Sequence, residues 1–210
     1  GFGSNLINVQ FGTPDYEMLT RLKSDVFVFS GAKNYQQTRE ISSLITKGDK
    51  VRTFKEFEKL ANEVFETYNR TWLTTEYHSA IAQSQSARHW MDIERDKDVF
   101  PQLQYETIGD QRVRDEHKAL DNIIRPVNDS FWNTFMPPNG WNCRCTTIQV
   151  KGRKDSDLSK VTPPTDKEVP PIFRFNAGKK QQIFSPAHPY YDVARVDKGF
   201  KENNFDLPVQ

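Results

Sequence analysis

Asp110, Arg114, His117, Cys143, Arg144 and Cys145 fall within one short stretch of this chain. Together they could hold a metal or move a proton. Cys143 and Cys145, at i and i+2 of an extended segment, share one face, so both sulfurs reach the same point. His117 could add a nitrogen there, with Asp110 or a water completing the shell, and zinc accepts such mixed sulfur and nitrogen ligands. Cys-x-Cys is nonetheless a weaker signature than the paired Cys-x2–4-Cys motifs of structural zinc, and buried cysteines often serve as small apolar residues. The expectation is therefore no cofactor, with zinc on His117, Cys143 and Cys145 as the alternative. A helix starting near Asp110 would also put Asp110, Arg114 and His117 on one face. That arrangement offers an acid, a cation and a general base to hydrolase or nuclease-like chemistry. Against it, Asp110 could cap the helix and pair with Arg114 while His117 bonds into a packed corner. Such structural corners are far commoner than active sites, so no catalytic residue is assigned. The chain carries no phosphate-cradling Gly-rich loop, no His-Glu-x-x-His and no nucleophile elbow.

The surroundings of these residues read as scaffolding. Pro137-Pro138-Asn139-Gly140 is a strong turn signal. Trp141 after it should plug an apolar pocket, and Phe131 and Trp132 should anchor the preceding loop. Arg144, on the face opposite the cysteines, should reach an acidic group. The basic clusters Lys151-Gly-Arg153-Lys154 and Arg174…Lys179-Lys180 could meet DNA phosphates or an acidic partner, and surface solvation explains them equally well. His78, His89 and His188 have no evident partners.

The elements that must position this stretch are mainly helical. Residues 1–12 read as a loose Gly-rich entry. Thr13-Pro14 caps and opens a helix towards Val26, Ser30 caps a second one, and Lys47-Gly48-Asp49 is a turn. Thr53-Phe-Lys-Glu56 is a capping box that starts an amphipathic pattern through Leu60, Val64, Tyr68, Ala80, Ala87 and Met91 to about Asp92. A straight helix of that length would reach ~60 Å, so a break or kink is expected near Asn69–Thr71. Leu103–Thr107 reads as a strand, Asp110 as the start of a short helix, the chain from Pro126 to Trp141 as loop, and Cys143–Val150 as a strand. The fold class is α+β: an N-terminal helical region (1–95), a small mixed core (96–150), a polar Pro-rich linker or surface loop (151–171) and a C-terminal tail of aromatics and turns (172–210).

Composition narrows the function further. The 210 residues carry 29 basic and 28 acidic side chains, a net charge of +1, which gives no global attraction to nucleic acid or anionic membrane. No apolar run approaches the ~20 residues that span a bilayer, so no membrane partner is expected. Fifteen Phe, seven Tyr and four Trp point to an aromatic-rich core.

One compound motif supports a resemblance. The run Tyr105-x-Thr107-x-Gly-Asp110-x-x-Val113-Arg114-x-x-His117-x-x-Leu120-Asp121, then Asp129-x-Phe131-Trp132, then Pro137-Pro138-Asn-Gly-Trp141-Asn-Cys143-Arg144-Cys145 resembles the phage Mu protein F-like family. Phe29-Ser-Gly-x-Lys33, Trp72-Leu-x-Thr-Glu76-Tyr77-x-x-Ala80 and Phe175-Asn-x-Gly-Lys179 also look like this group. A glycine often follows the Leu-Asp pair in such proteins; Asn122 stands there instead, and Asn also adopts left-handed backbone angles. The resemblance implies a minor head, or head morphogenesis, protein of tailed phages and prophages. It would be made in the bacterial cytoplasm and sit in the virion or procapsid, bound to portal, capsid or scaffold proteins, with a role in DNA packaging or delivery. It points away from an enzyme without excluding one; the rival is a hydrolase or nuclease-like enzyme using Asp110, Arg114 and His117, with or without zinc at Cys143 and Cys145. Gly1 reads as an artificial boundary, so the natural protein is expected to extend upstream.

Overall fold

The computed structural model describes residues 13–160, 164 and 168–202. The Gly-rich opening, part of the Pro-rich stretch and the end of the tail lie outside the described residues.

Thr13 caps the first helix, its hydroxyl accepting from the Tyr16 N–H with Pro14 in the first turn, and this α1 runs from Pro14 to Ser43. The expected second cap at Ser30 does not exist. Ser30 Oγ instead donates back to the Val26 carbonyl, a bond compatible with continuing helix. Phe29 and Ala32 on either side are fully packed, and burial of that face overrides the local weakness of Ser-Gly. Gly48, at φ +59°, turns the chain between two short strands, β1 (Thr46–Lys47) and β2 (Lys50–Val51).

The capping box forms as read: Thr53 Oγ1 accepts from the Glu56 N–H, and the Glu56 carboxylate accepts from the Thr53 N–H. It launches α2 (Phe54–Glu66). At the expected interruption the helix does not break. Thr67–Trp72 is a π-helical turn that leads directly into α3 (Leu73–Asp96). The two β-branched threonines, two aromatics and Asn69 in this turn are all indifferent helix formers, so a looser turn costs little there.

Beyond α3 the chain builds a three-stranded antiparallel sheet from β3 (Gln102–Glu106), β4 (Ile124–Pro126) and β5 (Thr146–Val150), in the order β4–β3–β5. Leu103 and Tyr105 alternate onto the covered face, both fully buried. Between the strands lie two one-turn helices, α4 (Asp115–Lys118) and α5 (Phe131–Thr134). The second replaces the expected loop, and Trp132 Nε1 ties it down by donating to the Pro126 carbonyl at 3.0 Å. Asn122 adopts the left-handed conformation at φ +61°. The strand read as Cys143–Val150 starts only at Thr146, so the cysteines lie just before β5.

α3 connects two cores. Ala80 and Ala87 join one with Met18, Leu22 and Phe29 of α1; Trp90 and Ile93 join the other with the sheet, Phe131 and Trp132. The aromatic stretch after residue 172 fills the first core rather than trailing from it. Phe184 stacks on Phe29 with ring centroids 3.6 Å apart, and Tyr190 packs on Tyr68. Asp25 of α1 accepts the backbone N–H groups of Ile183 and Phe184 at 2.7 and 2.8 Å. Gly178, in the one-turn helix α6 (Ala177–Lys180), lies so close to α3 that an added Cβ would sit 2.3 Å from Trp90 Cβ. The segment after β5 is also engaged: Ser156 bonds Ile124 through backbone and side chain, and the Gln102 side chain donates to the Arg153 carbonyl.

Candidate functional site

α4 carries His117 into the interior, where the residue is 2% exposed. Its Nδ1 lies 3.6 Å from Cys143 Sγ and 3.5 Å from Cys145 Sγ. Both cysteines are reduced and half-buried. Their sulfurs thus converge on the histidine as the i, i+2 spacing suggests, although the strand has not yet begun. His117 Nε2 is buried with no hydrogen-bond partner among the described residues.

The turn between α5 and β5 shapes this cluster. Asn139 is fully buried, and its side-chain Nδ2 reaches the carbonyls of Thr134 and Met136 at 3.3 and 3.4 Å. That fixes its Oδ1 to accept from the Tyr105 hydroxyl at 3.0 Å. The Asn139 backbone N–H points at Cys143 Sγ, and the Tyr105 hydroxyl is also within reach of Cys145. Cys143 is held well below the usual thiol range by its hydrogen bond with Cys145 and then by His117, while Cys145 is pushed up by the Cys143 thiolate and by burial. Burial likewise raises the Tyr105 hydroxyl, which stays protonated.

Asp110, Arg114 and His117 do not share a helical face. α4 begins at Asp115, so Asp110 precedes it in a turn that its own carboxylate closes on the Arg112 N–H. Each of the three meets a different partner. Arg144 makes a two-pronged bond to Asp110, 2.8 Å on each arm, and this guanidinium lowers the Asp110 carboxyl to about 2. Arg144 therefore does find the expected acid, and Arg114 is not that acid's partner. Arg114 Nη2 donates to the Trp141 carbonyl at 2.5 Å, crossing Gly140 so closely that a Cβ there would meet Arg114 Nη1 at 2.9 Å. Trp141 packs edge-on against Phe173, centroids 4.8 Å apart. Thr107 donates its N–H to Asp121, joining the end of β3 to the chain beyond α4. A cleft of about 420 Å³ opens beside the cysteines, lined by Gln85, Ser86 and His89 of α3 and by Cys143 to Thr147. His89 Nε2 is held there by the Thr147 carbonyl and hydroxyl, at 2.8 and 3.1 Å.

A second polar cluster escaped the sequence reading. Lys33 of α1 and Glu76 of α3 form an ion pair at 2.6 Å with both side chains largely covered, and the Tyr190 hydroxyl donates to the other Glu76 oxygen at 2.6 Å. Burial raises the Tyr190 hydroxyl far above its ordinary range, with Glu76 adding to the effect, so it remains a donor. The available signal was one charge of opposite sign inside the apolar face of each helix. His188 also has partners: it accepts from the Tyr190 N–H and packs edge-on against Phe29, and burial lowers it to about 4. Asn176 joins α6 to α5 by donating to the Trp132 carbonyl.

Long helices bracing a small antiparallel sheet, with Asp110, Arg114 and His117 of the central motif each turned to a partner within the chain, make this an α+β protein. The chain belongs to the family described as Phage Mu protein F like protein, whose pattern matches residues 36–148. It is 34% identical over 86 residues to the putative capsid assembly protein F of Escherichia phage Mu, covering 41% of this chain and 20% of that protein. It is 37% identical over 97 residues to the Mu-like prophage FluMu F protein of Haemophilus influenzae, covering 43% of this chain and 22% of that one. The chain thus spans about a fifth of the length of these curated relatives. No solved structure matches it. Among the described residues no helix is long and apolar enough to cross a membrane.

Proposed function

We propose that this chain acts in phage head morphogenesis as a minor head component that binds portal, scaffold or other procapsid proteins. Two things support the reading: the family, with a relative named as a capsid assembly protein, and an exposed apolar surface on the long helices. Phe65, Trp72, Leu73 and Tyr77 are each 41–52% exposed, clustered around the π-helical turn. Large apolar groups gathered on one stretch of an otherwise polar helix mark a docking face. That surface is the single observation in this chain that carries the proposal.

Arg174 and Lys179 add little support for direct DNA contact, while Lys151, Arg153, Lys154 and Lys180 are exposed. Arg174 donates to the Val169 and Pro164 carbonyls, and Lys179 bonds Asn133 and lies over the Trp90 ring. These cations hold the chain's own fold together.

Co-expression with the cognate portal and major capsid proteins, followed by particle purification, tests the proposal. The chain should co-purify with particles, and the double variant Phe65→Ser, Leu73→Ser should lose that association while keeping its thermal midpoint. A chain absent from particles, or a double variant retained at the parental level, would overturn it.

A further inference from the structure

We propose that His117 Nδ1, Cys143 Sγ and Cys145 Sγ bind a single zinc ion, whose fourth position faces the cleft beneath α3. The reading is independent of the docking function. These three residues are the described His, Cys, Asp or Glu group whose ligand atoms all lie within 4.8 Å of one another.

The geometry makes the case. With Zn–S near 2.3 Å and Zn–N near 2.0–2.1 Å, a tetrahedral shell places each sulfur about 3.5 Å from the nitrogen. The two observed separations are 3.6 and 3.5 Å. Both sulfurs, moreover, address the same ring nitrogen. Nδ1 has one lone pair or one N–H, directed along one line, so it can satisfy one thiol by hydrogen bonding and not two. An ion between the three atoms satisfies all of them at once.

Charge and surroundings agree with this. Two thiolates and a neutral imidazole cancel the charge of Zn²⁺, so the assembly is neutral in a largely buried place. One donor of the kind a thiolate ligand needs is present: the Asn139 backbone N–H faces Cys143. Such a supporting bond orients a metal ligand. With Nδ1 on the metal, the ring proton resides on Nε2, the buried atom that has no hydrogen-bond partner among the described residues.

His89 is not the fourth ligand, since Thr147 already holds its Nε2. The cleft that Cys143 and Cys145 line instead admits a water to that position. Bound in this way, the ion fastens α4 to the chain entering β5, across a turn with no regular secondary structure of its own.

The test uses the full chain purified without chelators. Elemental analysis should find one zinc per chain, and titrating the two thiols with an organomercurial should release that zinc into a colorimetric indicator. Cobalt added to the metal-free chain should give the intense visible bands of tetrahedral coordination with thiolate charge transfer. Cys143→Ser, Cys145→Ser and His117→Ala should each weaken cobalt binding by more than the roughly 10–100-fold typical of losing a supporting bond. Zinc far below one per chain, together with a pale octahedral cobalt spectrum, would overturn the site. So would a cobalt spectrum unchanged in the double cysteine variant. If the variants fail to fold, the zinc content and thiol-triggered release of the parent chain decide the matter alone.

Discussion

The Lys33–Glu76–Tyr190 cluster allows a stability prediction that distinguishes a buried ion pair from an ornamental one. The side chains of Lys33 and Glu76 are only 11% and 8% exposed. Changing Glu76 to Gln keeps the shape, and the amide oxygen can still accept from Tyr190. It removes the negative charge, however, and leaves the Lys33 ammonium uncompensated where water reaches it poorly. Breaking one side of a buried pair in this way costs about 3–5 kcal/mol. With a urea dependence of about 2–3 kcal/mol per molar for a chain of this size, the unfolding midpoint should fall by about 1–2 M. Far-UV circular dichroism against urea measures it. The triple variant Lys33→Met, Glu76→Leu, Tyr190→Phe replaces the whole cluster with apolar groups of similar size, and should recover most or all of the loss. A Glu76→Gln cost below about 1 kcal/mol, the range of surface pairs, would refute the reasoning. So would a triple variant worse than the single one.

Further outcomes follow from other contacts. Gly178→Ala should cost about 3 kcal/mol or more, because the new methyl meets Trp90 Cβ, which cannot swing away; the exposed neighbour Lys180→Ala should change stability by no more than about 0.5 kcal/mol. His188, lowered to about 4 by burial, makes the unfolded chain bind more protons between about pH 6.5 and 4. Its contribution is fully present above that window and is lost as pH falls through it, by about 3 kcal/mol at most. His188→Gln should flatten that part of the stability profile, read as urea midpoints at stepped pH. Asp110→Asn, which removes a solvent-facing partner of Arg144, should leave the thermal midpoint close to the parent's; a large drop would show that this pair holds the site together. Phe65→Ser with Leu73→Ser should leave the urea midpoint near the parental value, since both side chains are half exposed, whereas Trp72 packs on Tyr68 and is left in place.

The sequence by itself determined what is settled within a few residues. Thr13 and the Thr53–Glu56 box start their helices, Gly48 turns its hairpin, Asn122 takes the left-handed conformation, and Leu103–Thr107 marks β3 nearly to the residue. Each rests on bonds or steric limits between near neighbours, which any chain with those residues would share. The compound motif also identified the family, and the cysteine spacing anticipated that both sulfurs face one point. Only the tertiary structure decided the rest. Burial of Phe29 and Ala32 carried α1 through Ser30. The tail became core because Phe29 needed a stacking partner that sequence neighbours could not supply. Asp110 went to Arg144 once α4 began five residues later than its cap pattern suggested. Lys33 found Glu76 across 43 residues, and Glu76 found Tyr190 across 114. Such pairings depend on which helix faces meet, and that is set by packing of the whole chain rather than by any local preference of the residues that finally touch.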